Sequence, residues 1–358
     1  MRYALLLSGG VDSSTALAEL VHAGNDVTAF YIKVWLEDEL ESLSECPWEE
    51  DIAIAAQVCD QFAVPLRVVS LQLEYYERVV SYAVTELRAG RTPSPDVLCN
   101  ERIKFGAFLD HLAHREAAAD MLVASGHYAR IFDRDDHVIL ARSPDPVKDQ
   151  TYFLAHLKQD QLRRIRFPVG GLTKDEVRQL ARRYALPNRD RRDSQGICFL
   201  GRIRYPEFIR HYLGEQPGPI VERDTGRTLG DHRGYWFYTI GQRTGLGLGG
   251  GPWYVVGKEV GRNVVYVSRT DAAERRARSE FTVGDLSWTW VPPNADRLLL
   301  KIRHGPALAG ASIRWLDDTT IRVTMDRPDR GVAPGQFAVF YDREICLGSG
   351  TIEEDPCV

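Results

Sequence analysis

Two of the six cysteines stand where a thiol can react. Cys99 lies in Pro93-Ser94-Pro95-Asp96-Val97-Leu98-Cys99-Asn100-Glu101-Arg102-Ile103-Lys104-Phe105, where the prolines predict an exposed turn and Arg102 and Lys104 favour a thiolate. Cys198 lies in Asp193-Ser194-Gln195-Gly196-Ile197-Cys198-Phe199-Leu200-Gly201, directly after Arg189, Arg191 and Arg192. A loop with positive neighbours lowers a thiol pKa and makes the sulfur available as a nucleophile. The other four differ. Cys59 continues the apolar stripe Ile52, Ala55, Ala56, Phe62 of a helix, which predicts a buried, inert thiol. Cys346 adjoins a strand-like run and Cys357 has no catalytic setting, while acidic neighbours around Cys46 raise its pKa. With no Cys-x-x-Cys pair and no histidines at zinc spacing, a structural metal site and a disulfide scaffold are both disfavoured.

A second chemical signal is Ser8-Gly9-Gly10-Val11-Asp12-Ser13-Ser14, placed between a predicted strand and a predicted helix. Two glycines let backbone approach an oxyanion, the N–H groups of a helix start point outward, and the Ser13 and Ser14 hydroxyls can donate to phosphate. Asp12 can cap the helix or help hold a magnesium ion. No Gly-Lys-Ser/Thr follows, so this is not a Walker A loop. The run Gly245–Gly251 lies between β-type runs and precedes no helix, and is read as a flexible hairpin loop instead.

The formal net charge of −5 hides an uneven distribution. Residues 163–210 hold 13 Arg and Lys against 5 Asp and Glu, whereas 37–51 hold 8 acidic residues and no basic one. A basic block in an acidic chain can guide a polyanion, or can be a solvated helix face.

The elements that must position these groups follow from the apolar pattern. Short β-type runs at Tyr3–Leu7, Val27–Val34, Leu66–Leu71 and Met121–Ser125 alternate with helical spacing, which predicts an α/β, doubly wound parallel sheet binding ligands at its carboxyl edge. Beyond about Tyr205 short strands take over, at Tyr235–Ile240, Trp253–Val256 and Val264–Val267. The later runs Arg297–Ile302, Ala311–Trp315, Ile321–Met325 and Ala338–Tyr341 predict a small C-terminal β-barrel. The expected domains are 1–205, a small mainly-β central 206–277, and 278–358. No apolar run is long enough to span a bilayer, and Met1–Leu7 is too short to be a signal peptide, so a cytoplasmic protein is expected.

The phosphate loop, Pro95–Asn100 with Lys104-Phe105, Gly126-His127-Tyr128-Ala129, Lys148-Asp149-Gln150-Thr151-Tyr152-Phe153, Asp193–Phe199 and Gly250-Gly251-Pro252-Trp253-Tyr254-Val255-Val256 occur in this order along nearly the whole chain. The ordered set resembles the tRNA-specific 2-thiouridylases, a branch of the N-type ATP pyrophosphatases. The resemblance implies that Leu6, Leu7, Ser8, Gly9, Gly10, Val11, Asp12, Ser13, Ile32 and Gly126 hold ATP, with Mg²⁺ accompanying the nucleotide. It implies that Ser94, Pro95 and Asp96 face the target base, with Asp96 a general acid/base, Cys99 the nucleophile and Cys198 the persulfide carrier. It places His127, Lys148, Asp149, Gln150, Arg303, His304 and Gln336 against the tRNA anticodon region, and implies a persulfide donor protein such as a cysteine desulfurase or sulfur relay protein. Two positions depart from the pattern: Ser94 stands where Asn is common, and Arg303-His304-Gly305 replaces an Arg-Tyr-Arg run. Rival readings are an amide-forming ATP pyrophosphatase, which needs neither thiol, and a catalytically idle RNA-binding or sulfur-relay protein.

Overall fold

The computed structural model describes residues 1–34, 48–115, 120–192 and 205–354, so Cys46, Cys198 and Cys357 lie outside the described residues. The N-terminal domain contains β1 (Arg2–Leu6), β2 (Asp26–Lys33), β3 (Leu66–Ser70), β4 (Leu122–Ser125), β5 (Ala129–Arg134), β6 (His137–Arg142) and β7 (Ile165–Arg166). Five of them form a parallel sheet in the order β3-β2-β1-β4-β7. Its first strand is apolar on both sides because helices cover both faces. Tyr3, Leu5 and Leu7 pack with Leu17, Val58 and Val177, while Ala4 and Leu6 belong to the core of Phe30, Cys99, Phe105 and Phe108. The phosphate-loop helix and the Cys99 helix therefore sit on opposite faces and approach each other only at the sheet edge.

The hairpin β5–β6 lies outside this sheet, its strands joined by a two-residue turn, Asp135 and Asp136, both at positive φ. Short polar side chains tolerate that conformation, and the turn matches the strand twist. The hairpin then joins a different sheet, described below.

After the helix Tyr205–Leu213, strands β8 (Gly218–Glu222), β9 (Thr228–His232), β10 (Trp253–Glu259) and β11 (Val264–Arg269) form a sheet in the order β10-β11-β8-β9. The strand expected over Tyr235–Ile240 is absent; Tyr235–Phe237 is a 3₁₀ turn. Tyr235, Trp236 and Tyr238 are all buried. Gly245–Gly251 is a loop ahead of β10, with Gly245, Gly247 and Gly250 at positive φ, as its composition predicts.

The C-terminal barrel comprises β12 (Arg278–Trp288), β13 (Arg297–Lys301), β14 (Ala309–Trp315), β15 (Ile321–Asp329), β16 (Phe337–Asp342) and β17 (Ile345–Ile352), closed by the pairing of β12 with β17. Phe281, Val283, Ile313, Val323 and Phe340 fill it. Closure needs glycine at Gly350, where a Cβ would lie 2.6 Å from Val283 and 2.7 Å from the Gly284 carbonyl. Ile345 of β17 pairs with Ala141 of β6, so the N-terminal hairpin extends the barrel sheet. The predicted architecture, a parallel α/β domain, a small β domain and a barrel, is the one observed. No described helix is long and apolar enough to cross a membrane.

Candidate functional site

The sheet registers bring the nucleotide residues together. Leu6 pairs with Phe30 of β2 and with Ser125 of β4, so Leu7-Ser8, Ile32 and Gly126 emerge side by side at the carboxyl ends of three adjacent strands. The chain runs from β1 outward to β2 and returns to β4 on the other side, which makes the gap between β1 and β4 the reversal point where open α/β sheets bind ligands.

Gly9 adopts φ +72°, and a Cβ there would lie 2.7 Å from the Asp51 carbonyl, so only glycine makes this turn. Gly10 ends it in extended conformation and the helix Val11–His22 begins without a side-chain cap, leaving its first N–H groups unclaimed by any capping side chain. Ser13 and Ser14 hydroxyls donate back to the Gly10 carbonyl at 3.0 Å each, and Ser13 Oγ lies 3.2 Å from Ser8 Oγ. Gly126 completes the cradle: a Cβ there would stand 2.6 Å from Ser13 N. A methyl group at Gly126 would therefore press on the start of the phosphate-loop helix.

Several residues that no local motif marks hold the loop. Asn188 Nδ2 donates to the Gly9 carbonyl at 2.8 Å and to Ser14 Oγ at 2.9 Å. Arg191 donates to the Gly9 carbonyl at 3.0 Å and pairs with Asp51 at 2.5 Å. Asp12 is not the helix cap: its Oδ1 accepts from Lys174 Nζ at 2.6 Å and from the Tyr128 hydroxyl at 2.8 Å. Lys174 begins the helix Lys174–Arg183, which Thr173 and Glu176 fix with a reciprocal capping box.

Cys99 is not on an exposed turn. Pro95 opens the one-turn helix Pro95–Leu98, as its fixed φ favours, and Cys99 begins the π-helix Cys99–Ala107 with 4% of its surface exposed. The apolar neighbours Val97, Leu98 and Ile103 draw this stretch into the core. The wide turn is supported by Gln161, whose amide donates to the Glu101 and Phe105 carbonyls at 2.9 and 2.7 Å. Asn100 donates to the Phe153 carbonyl at 3.1 Å, pinning the cysteine helix to the Lys148–Phe153 motif. Ser94 hydrogen-bonds with Tyr152, and Asp96 lies near the Tyr205 hydroxyl, whose pKa is pushed up by burial first and by that carboxylate second. One π-helical turn beyond Cys99, Lys104 approaches His127, and Phe105 packs on the same imidazole with ring centroids 5.9 Å apart. His127 adjoins Gly126, so the cysteine helix reaches the nucleotide cradle through it. The imidazole pKa is held well below its usual value by burial, and further by Lys104; its Nδ1 lies 2.8 Å from Ser125 Oγ.

The residues expected against RNA divide. Lys148 is half-buried, Arg303 and His304 are exposed, and His304 stacks on Phe153 at 4.7 Å. Arg303 is held in a two-point pair with Asp329 at 2.9 and 2.7 Å. Gln150 accepts the Tyr128 N–H at 2.9 Å. Asp149 corrects the expectation: it is fully buried, bound by Lys301 at 2.8 Å, Arg142 at 3.1 Å and the Thr151 hydroxyl at 2.8 Å, and so joins the first domain to the barrel instead of facing RNA. The basic block also has two fates. Arg163, Arg164 and Arg166 donate to backbone carbonyls, whereas Arg178, Arg182, Arg189 and Arg192 line an open cleft of about 440 Å³ beside the loop.

Among the described residues no group of three or more His, Cys, Asp or Glu side chains is placed to hold a metal ion. Fold and site together define an α/β phosphate-loop enzyme carrying two appended β domains. The family model described as the tRNA methyl transferase HUP domain matches residues 1–202; the tRNA methyl transferase PRC-barrel domain matches 206–269, and the aminomethyltransferase beta-barrel domain matches 278–352. The tRNA-specific 2-thiouridylase MnmA of Parabacteroides distasonis is 43% identical, over 99% of this chain and 99% of the relative. MnmA 1 of Bacteroides thetaiotaomicron is 43% identical over 98% and 99%, and MnmA of Porphyromonas gingivalis 42% over 98% and 99%. The chain belongs to the tRNA-specific 2-thiouridylase family.

Proposed function

We propose that this protein replaces the carbon 2 oxygen of the wobble uridine of tRNA with sulfur, using ATP and a cysteine-borne persulfide. The observation that carries the reading is the convergence of a phosphate cradle at the β1/β4 reversal point with the helix of Cys99, in a chain related over its full length to 2-thiouridylases.

The carbonyl carbon of a uridine is a poor electrophile with a poor leaving oxygen. Transfer of AMP to that oxygen, with release of pyrophosphate, makes it a good leaving group. The N–H groups of the Val11–His22 helix and the backbone of Ser8–Gly10 face the charge that builds on the phosphates. Leu6, Leu7, Ile32 and Gly126 bound the nucleotide's place at the sheet edge. Asp12, the one carboxylate of the loop, is the residue that would help hold a Mg²⁺ ion, which would neutralise phosphate charge; its Oδ1 already accepts from Lys174 and Tyr128.

The terminal sulfur of a Cys198 persulfide then attacks carbon 2, and the bond to the adenylated oxygen breaks with loss of AMP. Cys99 thiolate attacks Cys198 Sγ and releases the transferred sulfur, leaving a Cys99–Cys198 disulfide that a thiol reductant reopens. Asp96 serves as the general acid/base beside the base, with Ser94 and Pro95 facing it. His127, Lys148, Gln150, Arg303 and His304 contact the anticodon arm, and a persulfide-bearing cysteine desulfurase or relay protein reloads Cys198. The domains of this cytoplasmic enzyme run 1–205, 206–277 and 278–358. The methyl transferase wording of the matched domain descriptions names a different product, so product mass separates the two chemistries.

The test is nucleoside mass analysis of tRNA incubated with protein, ATP, Mg²⁺ and a persulfide source. A gain matching oxygen-to-sulfur exchange in an anticodon uridine is expected, and neither Cys99→Ser nor Cys198→Ser should produce it. Full thiolation by both single variants overturns the scheme.

A further inference from the structure

Residues 88–94 lead into the helix that ends at Cys99, and both β domains grip them. From the middle domain the Tyr235 hydroxyl donates to the Arg88 carbonyl at 2.5 Å, and Val260 packs so closely that a Cβ on Gly90 would lie 2.5 Å from it. From the barrel the Pro334 carbonyl accepts the Thr92 N–H at 2.8 Å, and the Phe337 carbonyl accepts the hydroxyl of Tyr152, the partner of Ser94, at 3.2 Å. Between them Gln336 Nε2 donates to the Thr92 carbonyl at 2.9 Å and to the Pro93 carbonyl at 3.3 Å.

Pro93 and Pro95 have no N–H, so this stretch lacks the donors that ordinarily fix a backbone, and its carbonyls take donors from outside. One primary amide supplies two of them. Both amide hydrogens are thereby used, leaving only Oε1 for any other ligand. The same side chain lines a cavity of about 740 Å³ between the middle domain and the barrel, together with Arg303, Asp329, Arg330 and Glu274.

We propose that Gln336 is a positioning residue for Cys99. Its amide fixes the Thr92 and Pro93 carbonyls, three and two residues ahead of Pro95, and so sets where the cysteine helix starts, from a point on the barrel that also borders the cavity. The inference rests on the reading of Cys99 as the reacting thiol. It gives the Gln336 amide a task on the protein's own backbone.

The full-length protein carries its own controls, because Cys59 and Cys346 are buried elsewhere at 2% and 0% exposure. In Gln336→Met, which keeps bulk and removes the donor, peptide-resolved iodoacetamide labelling of Cys99 should accelerate roughly tenfold while Cys59 and Cys346 keep their rates. Gly335→Ala should do the same by a second route: Gly335 sits at φ +87°, and its Cβ would lie 3.0 Å from the Thr92 carbonyl. In thiolation assays kcat for Gln336→Met should fall about tenfold with the tRNA KM within about twofold of wild type. Unchanged Cys99 labelling with a raised tRNA KM overturns the proposal in favour of an RNA contact, and parallel acceleration at all three cysteines overturns it as general loosening. Selective Cys99 labelling in a protein whose Cys99→Ser variant still thiolates sustains the positioning and defeats the catalytic reading instead.

Discussion

The phosphate loop and the Cys99 arm hold their reactive groups in opposite ways. The loop is open: Ser8 is exposed, the first helical N–H groups have no capping side chain, and polar contacts from Asn188 and Arg191 fix its backbone, with Gly126 packed against it. The arm is closed: Cys99 is almost fully buried, and its approach is gripped by residues from the middle domain and the barrel. The first needs no capping side chain displaced from its helical N–H groups. The second must open before its sulfur meets anything, which suits a thiol that would otherwise oxidise or react out of turn.

This contrast can be broken at the loop first. Gly126→Ala drives a methyl group into the Ser13 backbone and should lower ATP-dependent pyrophosphate release by about 100-fold or more, because ångström-scale misplacement has effects of that size. Gly10→Ala, whose Cβ meets only Ser8 Oγ at 3.4 Å, should cost far less. Equal losses in the two would show that the cradle is not shaped as described. The closed region is probed by Asp149→Ala, which strands Lys301 without a counter-charge and should lower stability by about 3–5 kcal/mol, read as a fall in Tm. A Tm within a degree of wild type would mean that the domain junction is not held there.

A smaller effect is expected from Lys174→Met, which leaves Asp12 uncompensated beside the phosphates. The ATP KM should rise about tenfold, the size expected for a charged hydrogen bond, with a lesser change in kcat. The mildest test is pH. Burial holds the pKa values of His127 and His156 below the usual imidazole value, so the unfolded chain binds protons more readily than the folded one. Their contribution to stability is complete above about pH 6.5 and is lost as pH falls below it. His127→Asn should flatten the decline of Tm between pH 7.5 and 5.5; an unaltered slope would show that this imidazole does not titrate with unfolding.

The same contrast explains what could be read from residue order. Ser8–Ser14 is contiguous and lies between an apolar β-type run and a helical stripe, so its fold and chemistry are both written locally. The setting of Cys99 is not. Pro93 and Pro95 suggested exposure, whereas Val97, Leu98 and Ile103 decide burial because a sheet face and a second helix are waiting for them. Asp149 and Gln336 were expected against RNA from the resemblance alone, and their partners Lys301 and Thr92 lie more than 150 residues away in each case. Tyr235–Phe237 mimicked a strand by composition, and only tertiary burial of its aromatic rings revealed a turn. Cys198 remains an expectation, since it lies outside the described residues.

The hairpin β5–β6 carries one more consequence. Because Ala141 pairs with Ile345, a shortened chain ending before the barrel would leave β6 as a naked template for strand addition. Such a fragment should self-associate, and the barrel is therefore not a detachable accessory that gene fusion or truncation can exchange at will.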